Sequence, residues 1–151
     1  LALDARNDLL AAMTDEVGAL VLEDNRLQTL ALSVAERGGA AALPAQVRTL
    51  ELLETSGRLD RRVEGLASSE DLLRRVSDNR GLTRPELAVL LSLSKLALQD
   101  AAEDLHLADD PLLEEQLLAA FPTPMRERHR GSILRHRLRH EILATKVANR
   151  F

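Results

Sequence analysis

The 151-residue sequence contains no cysteine, tyrosine or tryptophan, and only two phenylalanines. The absence of cysteine excludes disulfide scaffolds, cysteine-ligated zinc, iron–sulfur clusters and thiol nucleophiles. The near-absence of aromatic rings argues against aromatic cages and against base-stacking platforms. The seven glycines never cluster into a dinucleotide-binding fingerprint or a phosphate loop. We therefore expect no nucleotide to bind to this chain in a standard way.

Long apolar runs and a leader are also missing. No window approaches 18 consecutive apolar residues, which argues against a membrane-spanning helix, and no basic stretch followed by an apolar run opens the chain. The sequence begins at Leu1 rather than Met, and the segment from Lys146 to Phe151 still has a helical pattern without a glycine or proline stop. These features favour a piece of a much longer polypeptide, located in the cytoplasm.

What the sequence does contain is typical of helices. Hydrophobic residues make up 45% of the chain and charged residues 29%. Leu and Ala, which are strong helix formers, outnumber the β-branched residues, and apolar and polar residues show no sustained alternation. The sequence predicts one all-α domain over residues 1–151, an irregular or orthogonal bundle of about six or seven helices.

Turn signals place the first helices. A long helix is predicted from near Asp4 to about Glu36, with apolar residues spaced three and four apart as in a coiled-coil seam. Thr14 offers an alternative cap that would divide it into two helices. Pro44 is predicted to open the second helix and Gly57 to end it.

The middle of the chain carries the best helix-start signal. A short helical turn is predicted at 59–66, and Ser68 or Ser69 then caps another helix. Thr83-Arg84-Pro85-Glu86 has the pattern of a capping box with proline in the first turn. The residues that follow, Leu87 to Leu98, are apolar nearly all round, so we expect a hub helix buried on several sides. Asp110-Pro111 caps a further helix, and a final helix is predicted through Ile133, Leu138 and Thr145.

Two histidines and one lysine are candidates for chemistry. His136 and His140 are spaced so that both imidazoles could share a metal, but Arg135, Arg137 and Arg139 surround them and disfavour a dication. Lys95 is the cation of the apolar hub helix and could act as a base, although its stem more often lies along apolar surface.

Carboxylates offer a second set of candidates. Asp24 on the seam is a buried carboxylate with a raised pKa, a residue that sets helix register, or the site of a helix break with its side chain outward. Five acidic residues lie close together in the sequence: Asp100, Glu103, Asp104, Asp109 and Asp110. They lack the Asp-x-Asp-x-Asp-Gly residue order of a calcium-binding loop, and we interpret them as a solvated face. The sequence thus predicts no catalytic, cofactor-binding or metal-ligating residue in this chain.

The net charge of −4 hides an asymmetry. Residues 82–123 carry eight acidic side chains against two basic ones, whereas residues 124–151 carry eight basic against two acidic. We expect these segments to neutralise each other in part. The basic run could also contact phosphates, but the acidic remainder and the lack of aromatics favour a partner surface that bears carboxylates over nucleic acid. The run comprises Arg126, Arg128, Arg130, Arg135, Arg137 and Arg139.

Several blocks of the sequence carry a family resemblance. They are residues 13–17, 21–25, 27–33, 57–61, 81–91, 109–111, 121–122 and 136–145, including Gly81-Leu82-Thr83-Arg84-Pro85-Glu86-Leu87 and His136-Arg137-Leu138-Arg139-His140-Glu141. In this order they resemble the large NAD-specific glutamate dehydrogenases of bacteria. The resemblance covers essentially the whole chain. It implies an all-helical C-terminal region that follows the catalytic domain.

The resemblance also implies a function for the parent protein. That protein would oxidise L-glutamate with NAD and water to 2-oxoglutarate, ammonia and NADH, with NAD and the catalytic residues upstream. This segment would be inert alone and would pack against the catalytic domain and other subunits of a homo-oligomer. The alternative is a stand-alone helical module whose basic last helix contacts an acidic protein or nucleic acid.

Overall fold

The computed structural model describes residues 2–150 and contains seven α-helices in that range. They are α1 (Leu3–Arg37), α2 (Gly39–Thr55), α3 (Ser69–Ser77), α4 (Arg84–Asp104), α5 (Glu114–Leu118), α6 (Thr123–Leu134) and α7 (Arg139–Ala148). Two short 3₁₀ turns, Leu107–Asp109 and Pro111–Leu113, precede α5. No β-strand occurs between residues 2 and 150, and the all-α prediction is confirmed.

The chain divides into two compact units. The central unit is Leu27–Ala97, and the terminal unit contains the described residues up to Arg26 together with those from Leu98 onward. Each unit has its own hydrophobic core. That residues 1–151 form a single domain stays a prediction. Of the helices formed by the described residues, none has the length and apolar character needed to cross a bilayer.

Leucines build the core of the central unit. Leu43, Leu50 and Leu53 lie on one face of α2 because they are spaced seven and three residues apart. They pack with buried leucines of α3 and α4 and of the connecting segments, namely Leu59, Leu72, Leu82, Leu87 and Leu90. Burying each leucine contributes about 1.5–3 kcal/mol, so this cluster stabilises the unit without any aromatic residue.

The hub helix is exposed along one stripe only. Within residues 87–98 of α4, the exposed positions are Ala88, Ser92 and Leu96, which are spaced four residues apart and so share one face. Leu87 and Leu90 belong to the core, and the remaining positions between 87 and 98 are half-buried. The residues predicted as a hub are therefore covered on most sides, although full burial is limited to the face that carries Leu87 and Leu90.

The start of α4 is fixed by a buried carboxylate, as the capping-box pattern predicts. Oε2 of Glu86 accepts hydrogen bonds from the backbone N–H and the hydroxyl of Thr83, both at 2.7 Å. It also pairs with Arg75 Nη1 at 2.6 Å, and Oε1 accepts from the Ala67 N–H at 3.2 Å. Burial alone would raise the pKa of Glu86, but the hydrogen bonds from Arg75 and Thr83 together outweigh burial and lower it to about 2.

The junction between α1 and α2 depends on glycine. Gly39 has a φ of +49°, and its backbone lies so close to Gly81 that a Cβ on Gly81 would be 2.7 Å from the Gly39 carbonyl. α2 begins at this tight turn, at Gly39. The Ala42 N–H donates a hydrogen bond to the Gly38 carbonyl at 3.2 Å. The prediction that Pro44 opens the helix is wrong, since Pro44 lies inside α2.

The remaining boundaries of the central unit agree with the turn signals. Gly57, with a φ of +72°, ends α2, and Ser68 caps α3 by accepting a hydrogen bond from the Asp71 N–H. The short helical turn predicted at 59–66 corresponds to a single turn at residues 61–65, in which the Glu64 N–H donates to the Asp60 carbonyl at 3.0 Å. The Asp60 carboxylate caps this turn by accepting from the N–H groups of Arg62 and Val63, and Gly65, with a φ of +66°, ends it.

Two predictions about helix continuity have opposite outcomes. α1 is a single helix through Thr14, whose hydroxyl donates to the Leu10 carbonyl and caps nothing. The predicted final helix is broken, because α6 ends at Leu134 and α7 starts at Arg139. α7 ends at Ala148 rather than continuing, and Phe151 lies outside the described residues.

The core of the terminal unit joins α5, α6 and α7. Leu117, Leu118, Ile133 and Leu143 are each at most 2% exposed. Asp110 caps the turn before α5 as predicted, since its carboxylate accepts from the Leu112 N–H at 2.9 Å. This small core therefore sets the position of the arginine-rich α6 and of the turn that follows it.

Candidate interaction surface

The six arginines of the basic run fall into two groups of three. All six lie in the terminal unit, on α6, in the turn after it, or at the first residue of α7. Arg126, Arg130 and Arg139 form ion pairs within the unit. Arg128, Arg135 and Arg137 are exposed and form no ion pair with any residue from 2 to 150.

A carboxylate of α1 anchors the start of α6. The two oxygens of Glu16 accept from the Thr123 N–H at 2.9 and 3.1 Å, and Oε1 also accepts from the Thr123 hydroxyl. Arg126 Nη2 lies 3.4 Å from the same oxygen. A negative charge at a helix N-terminus complements the positive end of the helix dipole. Arg126 is therefore a structural residue of this unit.

Two further arginines are neutralised by the acidic segment. Arg130 pairs with Glu114 and with Glu115, the latter at 3.0 Å, and these bonds raise the pKa of Arg130. Arg139 Nη2 donates to Asp109 at 2.8 Å, and this hydrogen bond lowers the pKa of Asp109. The expected partial neutralisation of residues 124–151 by residues 82–123 is confirmed at these pairs.

The other three arginines form what we call the arginine surface, defined by Arg128, Arg135 and Arg137. Arg128 lies on α6 next to a kink at His129, Arg135 directly follows the helix, and Arg137 lies in the turn before α7. The guanidinium of Arg135 lies over Gly131, with Nη1 3.4 Å from where a Cβ would be. Because Gly131 has no side chain, Arg135 rests against the helix with its charge exposed. This surface can bind carboxylates, which fit the guanidinium fork.

The sequence of the chain identifies its family. A family model described as the C-terminal part of glutamate dehydrogenase matches residues 79–151. The chain is 44% identical over 144 residues to the NAD-specific glutamate dehydrogenases of Pseudomonas aeruginosa and Halomonas elongata. Residues 79–151 therefore belong to the glutamate dehydrogenase family.

The match extends over nearly all of this chain but over little of its relatives. The two 44% identical relatives align with 95% of the chain, and the NAD-specific glutamate dehydrogenase of Mycobacterium tuberculosis aligns with 97% at 36% identity. The chain spans about 9% of the length of each of these relatives. It therefore corresponds to a small C-terminal part of these relatives, and the recognition made from the sequence blocks is confirmed.

The histidine pair of this glutamate dehydrogenase segment is separated by the break before α7. Nδ1 of His136 accepts from the Leu138 N–H at 3.1 Å. His140 faces other groups, with Nε2 3.7 Å from Asp109 and its ring 5.1 Å from that of His106. The metal hypothesis required both imidazoles on one helix face, and α7 contains only the second. In the part of the chain that the structure describes, no group of three or more histidine or carboxylate side chains has an arrangement that could hold a metal ion.

The other candidates also have ordinary environments. Asp24 is exposed on α1, so the buried-carboxylate alternative is wrong. Lys95 is half-buried on α4 and forms no ion pair within residues 2–150. In the acidic set, Glu103 accepts from Gln99 at 2.9 Å while Asp109 and Asp110 have the partners given above. The expectation that the segment holds no catalytic, cofactor-binding or metal residue stays a prediction.

Sequence reasoning missed Glu16 and Gln46. Glu16 lies more than a hundred residues from its partner Thr123, so no local spacing signals the contact. Gln46 has a buried Oε1 atom without a hydrogen-bond partner, which depends on what packs around α2. In both cases the environment of the side chain is created by tertiary packing, so the spacing of residues along the sequence does not reveal it.

Proposed function

We propose that this chain is a non-catalytic helical module of an NAD-specific glutamate dehydrogenase and serves its assembly. The whole protein would convert L-glutamate, NAD and water to 2-oxoglutarate, ammonia and NADH in the cytoplasm. NAD and the reacting groups would be bound by other parts of the polypeptide. The observation that carries the proposal is an identity of 44% over 144 residues to two proteins named for this specificity.

The arginine surface supports a docking role for the module. Arg128, Arg135 and Arg137 remain exposed although acidic residues neutralise the nearby Arg130 and Arg139. Charge left unpaired along α6 and the turn after it favours a partner with carboxylates. We propose that this partner is the remainder of the same polypeptide and, in a homo-oligomer, the other subunits.

A binding measurement tests the docking role. The chain is titrated against the remaining polypeptide of its parent dehydrogenase, with Arg128, Arg135 and Arg137 replaced together by Gln. Exposed ion pairs contribute about 0.2–1 kcal/mol each, so three lost pairs weaken binding by about 3- to 100-fold. We expect the affinity of the unaltered chain to fall as the salt concentration is raised. The affinity of the triple variant should depend less on the salt concentration.

Arg48 and Arg62 provide the matched control. Both are exposed arginines outside the arginine surface, and replacing them by Gln changes the net charge in the same direction. Equal weakening by control and triple variants would refute docking through this surface. For the non-catalytic role, glutamate and NAD are incubated with the isolated chain, and any turnover would disprove it.

A further inference from the structure

Ser132 lies exposed on α6 and its hydroxyl is free. Within the described range, residues 2–150, the Ser132 side chain forms no hydrogen bond. The hydroxyls of Thr14, Ser33 and Thr49 differ, because each donates to the carbonyl four residues earlier on its own helix, at 2.9–3.1 Å. A helical serine that does not bond back in this way presents its hydroxyl to solvent. Ser132 is therefore open to chemical modification.

Arginines flank Ser132 on both sides in the sequence, and one of them folds back towards it. Arg128 and Arg130 precede Ser132 by four and two positions, and Arg135 follows it by three. Nη1 of Arg135 is 3.4 Å from where a Cβ would lie on Gly131, the residue next to Ser132. Residues three apart on a helix are neighbours on its surface. A group attached to the Ser132 hydroxyl is thus within reach of the Arg135 guanidinium.

Most of the positive charge around Ser132 has no counter-charge within the chain. Arg130 pairs with carboxylates of α5, but the three residues of the arginine surface form no ion pair with residues 2–150. A phosphate on Ser132 would bring a charge of about −1.5 to −2 at pH 7 and three acceptor oxygens. Hydrogen bonds between ions are about twice as strong as neutral ones. The phosphate would therefore pair with Arg135 and offset about half or more of the charge of the arginine surface.

α6 is weakened just before Ser132. His129 has non-helical backbone angles, with φ at −130° and ψ at 22°, which kink the helix. Gly131 lowers helix stability further, because glycine loses more backbone freedom in a helix than other residues do. Helical segments with such defects open locally more often than regular ones. Since Ile133 is only 2% exposed in the folded chain, an enzyme that needs an extended segment would act on Ser132 during transient opening.

We propose that Ser132 is a phosphorylation site that weakens docking through the arginine surface; the inference rests on the proposed function. A serine protein kinase that recognises arginines before its target transfers the γ-phosphoryl group of a nucleoside triphosphate. A bond forms between Oγ and the γ-phosphorus, the bond to the β-phosphate oxygen breaks, and the nucleoside diphosphate and the hydroxyl proton leave. The phosphate then pairs with Arg135 and repels the carboxylates of the docking partner.

The contact between the phosphate and Arg135 is tested within the chain itself. Phosphoserine is incorporated at position 132 during synthesis of the chain, and phosphorus NMR follows its titration. The second pKa of phosphoserine is about 6, and we expect the neighbouring guanidinium to lower this pKa to about 5–5.5. Arg135→Gln should return the pKa towards 6. The same pKa with and without Arg135 would overturn the proposal, whatever the docking measurement shows.

The effect on docking is measured with the same remaining polypeptide as for the triple arginine variant. We expect phosphoserine at 132 to weaken binding by about 3- to 100-fold, as the triple replacement does. In the triple variant the phosphate should weaken binding much less, because the charges that it offsets are already absent. Phosphoserine at Ser92 is the matched control. Ser92 is exposed on α4, has no arginine within four positions and gives the same change in net charge, so binding should stay within about twofold.

The outcomes distinguish this inference from the proposed function. If the triple variant weakens docking and phosphoserine at 132 does not, the phosphorylation proposal is wrong and the docking role stands. If neither weakens docking, the docking role fails and the inference fails with it. Equal weakening by phosphoserine at 92 and at 132 would show an effect of net charge and would also overturn the inference.

The modification itself is tested with a panel of arginine-directed serine kinases and ATP. We expect mass spectrometry to find phosphate on Ser132 of the folded chain and none at this position in Ser132→Ala. A peptide of residues 126–137 shows that each kinase accepts the sequence. Phosphorylation of the peptide but not of the chain would overturn the proposal, because α6 would then not open enough to be modified.

Discussion

Replacing Glu86 by Gln is the most informative test of how the central unit is held together. The substitution keeps the shape of the side chain and removes its charge. Glu86 is 7% exposed, and its carboxylate accepts from Arg75, Thr83 and Ala67. The variant leaves the Arg75 guanidinium without its counter-charge. It also puts a neutral amide in place of the carboxylate whose Oε2 accepts three hydrogen bonds.

The pKa of Glu86 sets the size of the effect. The ordinary value of 4.5 falls to about 2 in the folded chain. A pKa change of this size corresponds to about 3 kcal/mol at neutral pH. Because the remaining amide oxygen of Gln still accepts one hydrogen bond, we expect Glu86→Gln to lower the free energy of unfolding by about 2–3 kcal/mol at pH 7.

The pH dependence gives the effect a second, independent signature. A carboxylate with a lowered pKa contributes stability that is fully present above 4.5 and disappears as the pH falls towards 2. The difference between the unaltered chain and Glu86→Gln should therefore shrink between pH 5 and about 2. Urea unfolding followed by circular dichroism at several pH values measures it, and contributions of other carboxylates cancel in the difference.

Glu70→Gln is the matched control. Glu70 lies on α3 with its side chain 84% exposed, 3.7 Å from Arg74, so its loss should change stability by less than about 0.5 kcal/mol. A Glu86→Gln effect no larger than that of Glu70→Gln would refute the reasoning. So would an effect that stays constant from pH 7 to pH 3.

Two further predictions concern packing and backbone, and both are measured by urea unfolding. Leu143→Ala, at a position with no exposed surface in the terminal core, should cost about 2–5 kcal/mol, whereas Leu112→Ala, 87% exposed, should cost under about 0.5 kcal/mol. Gly81→Ala should cost about 1–3 kcal/mol because its Cβ would be 2.7 Å from the Gly39 backbone. Gly18→Ala, in the interior of α1 with open space around it, should instead add about 0.5–1 kcal/mol. Equal effects within either pair would contradict the packing described here.

Local signals in the sequence predicted helix boundaries well where one residue type suffices. Gly57 has the positive φ that a helix stop requires, Ser68 and Asp110 accept bonds from free N–H groups, and Glu86 reaches back to Thr83. These devices act within three or four residues, so the pattern alone determines them.

Predictions failed where a boundary depended on more distant contacts. Pro44 fits a helix start, but α2 begins earlier in the chain, at Gly39, where the backbone of Gly81 lies close by. The apolar pattern through residues 133–145 fits one helix, yet the chain turns between Leu134 and Arg139. Apolar spacing shows which residues seek burial and does not show where the chain bends to bury them.

The sequence by itself determined the helical class, the composition of the cores and the family. Leucine-rich periodicity without strand patterns leaves helix-on-helix packing as the way to bury apolar surface. The tertiary structure alone decided which charges are free. Arg126 and Arg128 have identical chemistry two residues apart, but only Arg126 has Glu16 within reach, because the partner comes from more than a hundred residues away. The same holds for Gln46, whose amide is noteworthy only because the neighbouring helices bury its oxygen and offer it no donor.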